Sequence, residues 1–162
     1  MMNLSANSYA PSQDNASLSS LIEQYEDEKK ELPELSEEST ETLYAFGFGF
    51  YENGKYEKAV QFFRFLTLVN PGKKKYWMGL GASYHMLKDE QCALQCYGAA
   101  AILDRNDPYV HLHAAECLFS LGEKKLGCKA LHSAETAAEG QTKQDKALLS
   151  RIALMKENNQ QH

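Results

Sequence analysis

No stretch of this 162-residue chain approaches the roughly 20 consecutive apolar residues that a membrane-crossing helix needs, so the sequence offers no candidate span. The opening MMNLSANSYAPSQDNASL lacks a basic start followed by an apolar run. It does not read as a secretory signal, and residence in the cytosol is the expectation. Cysteine is sparse. The four residues Cys92, Cys96, Cys117 and Cys128 all fall inside predicted helices, where small buried thiols sit in a reducing compartment rather than in a disulfide framework. Cys92 and Cys96 lie one helical turn apart and could be joined by a histidine such as His113, but no second pair supplies the spacing of a structural zinc site. No metal and no cofactor is expected.

Basic charge in the pattern that nucleic acid requires is also missing. Lys73, Lys74 and Lys75 form one short cluster in a turn without interleaved aromatics, so neither nucleic acid nor a membrane surface is an expected partner. The net charge is −5, and residues 1 to 38 hold nine acidic and two basic side chains against thirteen and fifteen in the remainder. The acidity therefore belongs to the N-terminal arm. No G-x-S-x-G, H-E-x-x-H or G-x-x-x-x-G-K-S/T pattern occurs; Gly47, Gly49, Gly79 and Gly81 lie within helical periodicity, and His111 and His113 face different ways on one helix. An enzyme is not expected. A content of 43% hydrophobic and 24% charged residues fits one soluble globular domain.

What is present is a 34-residue period. Trp77, Leu80, Gly81, Tyr84, Ala93, Tyr97 and Ala100 stand at the spacing W-x2-L-G-x2-Y, then Ala, aromatic, Ala, which is the signature of a tetratricopeptide repeat. One period earlier the template meets Leu43, Phe46, Gly47, Phe50, Ala59, Phe63 and Pro71, with Gly54 and Tyr56 at the turn. One period later it meets His111, Ala114, Ala115, Leu118, Gly122, Gly127, Leu131 and Ala134, keeping the small residues and losing the aromatics. The small residues pair as Gly47 with Ala59, Gly81 with Ala93 and Ala115 with Gly127, where two helices are expected to approach closely.

The predicted fold is therefore all-α, an α-solenoid of three tandem helical hairpins over 40–73, 74–107 and 108–141. Their helices are expected near 41–52 and 56–69, 74–87 and 90–103, and 108–121 and 124–138. Residues 142–157 read as a capping helix, with Ala147, Leu148, Ile152 and Met155 on one face, and 158–162 as a frayed tail. Residues 1–16 read as a disordered arm. Residues 17–34 read as an amphipathic helix whose apolar face, Leu18, Leu21, Ile22 and Tyr25, is expected to form a dimer interface.

In stacked hairpins of this kind the first helices line a concave groove. The positions facing it are Glu41, Tyr44, Phe48, Tyr51 and Glu52 in repeat one, and Lys75, Met78, Ala82, His85 and Met86 in repeat two. Repeat three offers Tyr109, Leu112, Glu116, Phe119 and Ser120. Because Leu43, Phe46, Gly47 and Phe50 already form a core-facing stripe on the first helix, the Tyr44, Phe48, Tyr51 stripe lies on another face. Apolar surface of that kind marks a binding site.

The segments LYAFGFGFYENGKYEKA at 43–59, WMGLGASYHML at 77–87 and DPYVHLHAAECLFSLGE at 107–123 resemble the class II chaperones of bacterial type III secretion systems. The likeness covers roughly residues 17 to 157. It implies a cytoplasmic bacterial chaperone that holds hydrophobic translocator proteins before export, gripping an extended segment with a P-x-L-x-x-P pattern. It places Tyr44, Phe48, Tyr51 and Tyr56 at the groove aromatics, and it implies a homodimer formed through the N-terminal region. Some members also act with a transcription activator. A scaffold joining folded partners is the alternative reading. A carboxylate clamp for acidic C-termini is disfavoured because the inward set offers only Lys75.

Overall fold

The computed structural model describes residues 34–140 and 145–160. Seven helices make up the described residues, with no strand among them: α1 (Glu37–Glu52), α2 (Tyr56–Val69), α3 (Lys74–Met86), α4 (Glu90–Leu103), α5 (Pro108–Ser120), α6 (Lys124–Glu139) and α7 (Lys146–Gln160). The predicted arm, residues 17–33 of the predicted helix and the dimer residues Leu18, Leu21, Ile22 and Tyr25 lie outside the described residues, and Glu34, its expected last residue, is not helical. The last helix runs past its expected end at 157 to Gln160.

Local chemistry sets the helix starts. Ser36 accepts from the Ser39 amide at 3.1 Å, Asp89 from the Cys92 amide at 3.1 Å and Asp107 from the Tyr109 amide at 2.9 Å. Each satisfies a donor that the first helical turn leaves unpaired. The turn within each hairpin is built identically. The residues Gly54, Lys88 and Gly122, one period apart, all take left-handed φ angles of 69°, 64° and 81°. After each comes an amide bonded back over the helix end: Lys55 to the Phe50 carbonyl at 2.9 Å, Asp89 to Tyr84 at 3.0 Å and Glu123 to Leu118 at 2.8 Å. This is the Schellman arrangement that closes a helix C-terminus.

Each helix packs on the next in sequence, and α1 also touches α3, which is the neighbour-only packing of a solenoid. Ala59, Phe63 and Leu66 of α2 meet Tyr76 and Leu80 of α3 and Cys96 of α4 in one buried cluster. Ala93 and Tyr97 of α4 join Ala114 and Cys117 of α5 in the next. The largest cluster unites Leu112, Ala115 and Leu118 of α5 with Ala130, Leu131, Ala134 and Ala138 of α6 and Leu148 and Ile152 of α7. The C-terminal helix thus covers the open side of the third hairpin.

The small residues act differently from the expected glycine-on-alanine contact. A Cβ at Gly47 would stand 3.1 Å from the Phe62 Cβ and 3.2 Å from the Phe63 ring; at Gly81 it would stand 2.9 Å from the Tyr97 ring, and at Gly127 2.6 Å from the Phe119 ring. In all three hairpins the glycine makes room chiefly for an aromatic side chain of the facing helix. Polar ties join repeat one to repeat two and brace the two ends of repeat two. Lys75 Nζ bonds both Glu41 oxygens at 2.5 and 2.6 Å, and Lys74 Nζ reaches Asp104 at 2.7 Å and Asp107 at 2.6 Å. Trp77 Nε1 donates to the Pro71 carbonyl at 2.7 Å, fixing the loop between hairpins one and two.

Candidate peptide-binding groove

Tyr44, Phe48 and Tyr51 recur at i, i+4 and i+7 and so share one face of α1. The face is graded in burial. The Tyr44 ring is half-buried, edge-on to Phe63 at 5.7 Å and tilted against Tyr76 at 5.9 Å, while its outer side stacks with Phe48 at 6.4 Å. Lys75 Nζ sits 4.6 Å from the centroid of the same ring, a favourable position for a cation over a π face. Phe48 itself is 44% exposed. Tyr51 is half-buried and meets Tyr56, at the start of α2, edge-on at 5.5 Å. Burial and the neighbouring Tyr56 push the Tyr51 phenol above its ordinary pKa.

From repeat two, Met86 is exposed, whereas Met78, Ala82 and His85 are half-buried. Met78 packs against the Ala93–Tyr97 and Ala100–Val110 clusters. Repeat three departs from expectation. Leu112 is wholly buried at 0% exposure and shares its core cluster with Leu148 and Ile152 of α7. Phe119 is half-buried over Gly127 and packs on the same core. Tyr109 and Glu116 are engaged by α7 as well. The Tyr109 hydroxyl donates to Asp145, and Arg151 donates to Glu116, which also bonds His113 Nδ1 at 2.9 Å. Burial alone would raise the Glu116 pKa, but the hydrogen bond from His113 and the charges of His113 and Arg151 outweigh it and hold the carboxyl below its ordinary range.

The expected core stripe of α1 is corrected in one position. Phe46 is 57% exposed, resting only against Phe62 at 6.2 Å, and it opens onto a shallow pocket lined with Ala45, Gly49, Phe50, Asn53 and Lys55. Leu43 and Phe50 do pack against the first core cluster. The reason is that Gly47, not Phe46, faces α2 most directly.

Among the described residues, ligand-type side chains come together at one place, His85, Glu90 and Cys117, rather than at Cys92, Cys96 and His113. Sequence reasoning missed this group because its members come from three helices with no motif spacing. His113 is instead stacked on Tyr97 at 5.3 Å and bonded to Glu116. No helix among the described residues is long and apolar enough to cross a membrane.

The tetratricopeptide repeat family matches residues 40–68 and 75–107. The low calcium response locus protein H of Yersinia pestis is 32% identical over 126 residues, covering 78% of this chain and 74% of that protein. The crystal structure of PcrH, a Pseudomonas aeruginosa protein, in complex with the chaperone binding region of PopD superposes with a TM-score of 0.76 at 36% identity, covering 80% of this chain and 96% of that one. The chain belongs to the class II type III secretion chaperones. A further member, the Yersinia enterocolitica type III secretion chaperone SycD in complex with a peptide of the translocator YopD, matches with a TM-score of 0.75 at 30% identity, over 79% of this chain and 97% of that one. In this family setting the α1 aromatics become the residues to weigh as a peptide-binding face.

Proposed function

We propose that this chaperone binds an extended segment of a hydrophobic translocator protein along the face formed by Tyr44, Phe48, Tyr51 and Tyr56, with Met86 at its far side. The observation that carries this reading is the graded aromatic stripe of α1. Its inner edges are anchored on Phe63 and Tyr76, while Phe48, stacked on Tyr44, is still 44% exposed. Prolines and a leucine spaced as P-x-L-x-x-P would fill the gaps between such rings, and a proline-rich segment loses little entropy on binding. Binding needs no chemical step, so the protein acts as a holder and not as an enzyme. Keeping the translocator's apolar sequence occupied in the bacterial cytoplasm would prevent its aggregation or early membrane insertion.

A second copy of the chain is the other proposed partner, through Leu18, Leu21, Ile22 and Tyr25. The test of peptide binding is calorimetric titration of the full chain with a translocator segment containing P-x-L-x-x-P and with its Ala-substituted form. Saturable binding of the first and loss with the second is the expected result. Equal binding of both would overturn the reading. Sedimentation of the full chain and of a Leu21→Glu variant tests the dimer, which the charge should dissociate.

A further inference from the structure

Three metal-ligating side chains converge where the second hairpin meets the third. His85 lies in the last turn of α3, Glu90 begins α4 and Cys117 lies within α5. One ligand atom from each falls within 4.8 Å of the others, and His85 Nε2 stands 3.6 Å from Glu90 Oε2. The Glu90 side chain is only 12% exposed, and Cys117 is fully buried. The Glu90 Oε2 is buried with no hydrogen-bond partner. A buried acceptor left in that state is destabilising, and native proteins rarely leave one without a reason.

The spacing is compatible with a shared cation. A tetrahedral zinc ion with ordinary bonds to N, O and S sets its ligand atoms about 3.3–3.6 Å apart, and the His85–Glu90 distance is already there. The other two separations lie within 4.8 Å, so an ion would draw the three ligand atoms closer together.

We propose that His85, Glu90 and Cys117 form a binding site for a divalent transition-metal ion of the zinc type. A thiolate and an imidazole select against magnesium and calcium, which prefer all-oxygen shells. Binding replaces the S–H bond of Cys117 by an S–metal bond, and the thiol proton leaves to solvent. The neutral imidazole supplies its nitrogen lone pair, and the formerly unpaired Glu90 Oε2 becomes a ligand. The ion would tie the α3–α4 turn to α5, so its effect is to lock hairpin two against hairpin three.

The experiment uses the full chain, reduced and stripped with chelator, titrated with Co2+ alone. Expected are a near-ultraviolet thiolate-to-cobalt charge-transfer band and tetrahedral d–d bands that saturate at one ion per chain, and bleaching of both by Zn2+. Cys117→Ser should abolish the charge-transfer band, whereas Cys128→Ser, an exposed thiol, should keep it. Because Cys117 is in the core, His85→Ala on the half-exposed side provides a second arm, with affinity lowered at least about tenfold. Zn2+ should raise the melting temperature of the parent chain and not of His85→Ala. The absence of a thiolate band in the parent chain, or a band unchanged in both Cys117→Ser and His85→Ala, would overturn the site.

Discussion

The ring of Phe63 in α2 lies so close to Gly79 in α3 that a Cβ at Gly79 would stand 2.6 Å from the Phe63 Cε1. Phe63 is itself buried and held between Tyr44 and its own hairpin, so the ring has no free space to retreat into. The contact joins repeat one to repeat two. It explains why a glycine is tolerated in the middle of a helix, where it ordinarily costs about 1 kcal/mol relative to alanine.

Gly79→Ala should therefore destabilise the protein by about 1–3 kcal/mol, the overpacking penalty exceeding the gain in helix propensity. Gly98 in α4 provides the contrast, since an added Cβ meets nothing within 4 Å. Gly98→Ala should stabilise by up to about 1 kcal/mol. Chemical denaturation of the two variants checks the pair, and the same sign of change in both would contradict the packing described.

The three intra-hairpin turns supply a second prediction. Lys88 occupies with φ 64° the position that glycine holds at Gly54 and Gly122, and a left-handed backbone costs a residue with a side chain about 1 kcal/mol. Lys88 is exposed, so nothing else is lost on replacing it. Lys88→Gly should raise the melting temperature, whereas Gly54→Ala and Gly122→Ala should lower it.

The equivalence of Gly54, Lys88 and Gly122 shows what a sequence makes readable. The 34-residue period is local information repeated, so helix positions, turns and the all-α class follow from it directly. The environment of a side chain is not local. Phe46 matched a core position of the template, yet it lies exposed because Gly47 occupies the line of contact with α2. Leu112 matched a groove position, yet it is buried in a cluster to which α6 and α7, distant in sequence, also contribute. The His85, Glu90 and Cys117 cluster was invisible for the same reason.

Glu116 gives a pH prediction with a defined sign. Its folded pKa is depressed, so its ionisation favours the folded state above the unfolded value of about 4.3, and that contribution is lost as pH falls through the lower folded value. Glu116→Gln should thus be less stable than the parent chain near pH 7. The difference should shrink on acidification below pH 4. Denaturation midpoints of both chains across that window are the measurement, and a gap that widened in acid would contradict the bonds to His113 and Arg151.

The assignment of faces is tested by four alanine variants read in two assays. Phe48→Ala removes an exposed ring on the proposed peptide face; it should weaken binding of a P-x-L-x-x-P segment by at least about 2 kcal/mol, as for an aromatic anchor, with little change in melting temperature. Phe46→Ala removes an exposed ring on another face and should leave both assays nearly unchanged. Phe63→Ala should cost about 3–5 kcal/mol of folding stability, and Leu112→Ala about 2–5 kcal/mol, since both empty a packed core. Binding by Leu112→Ala should be preserved under conditions where it is folded, because that side chain is fully buried. If Leu112→Ala lost binding while keeping its stability, the C-terminal helix would have to leave the third hairpin on complex formation, and the groove would extend beyond the first two repeats.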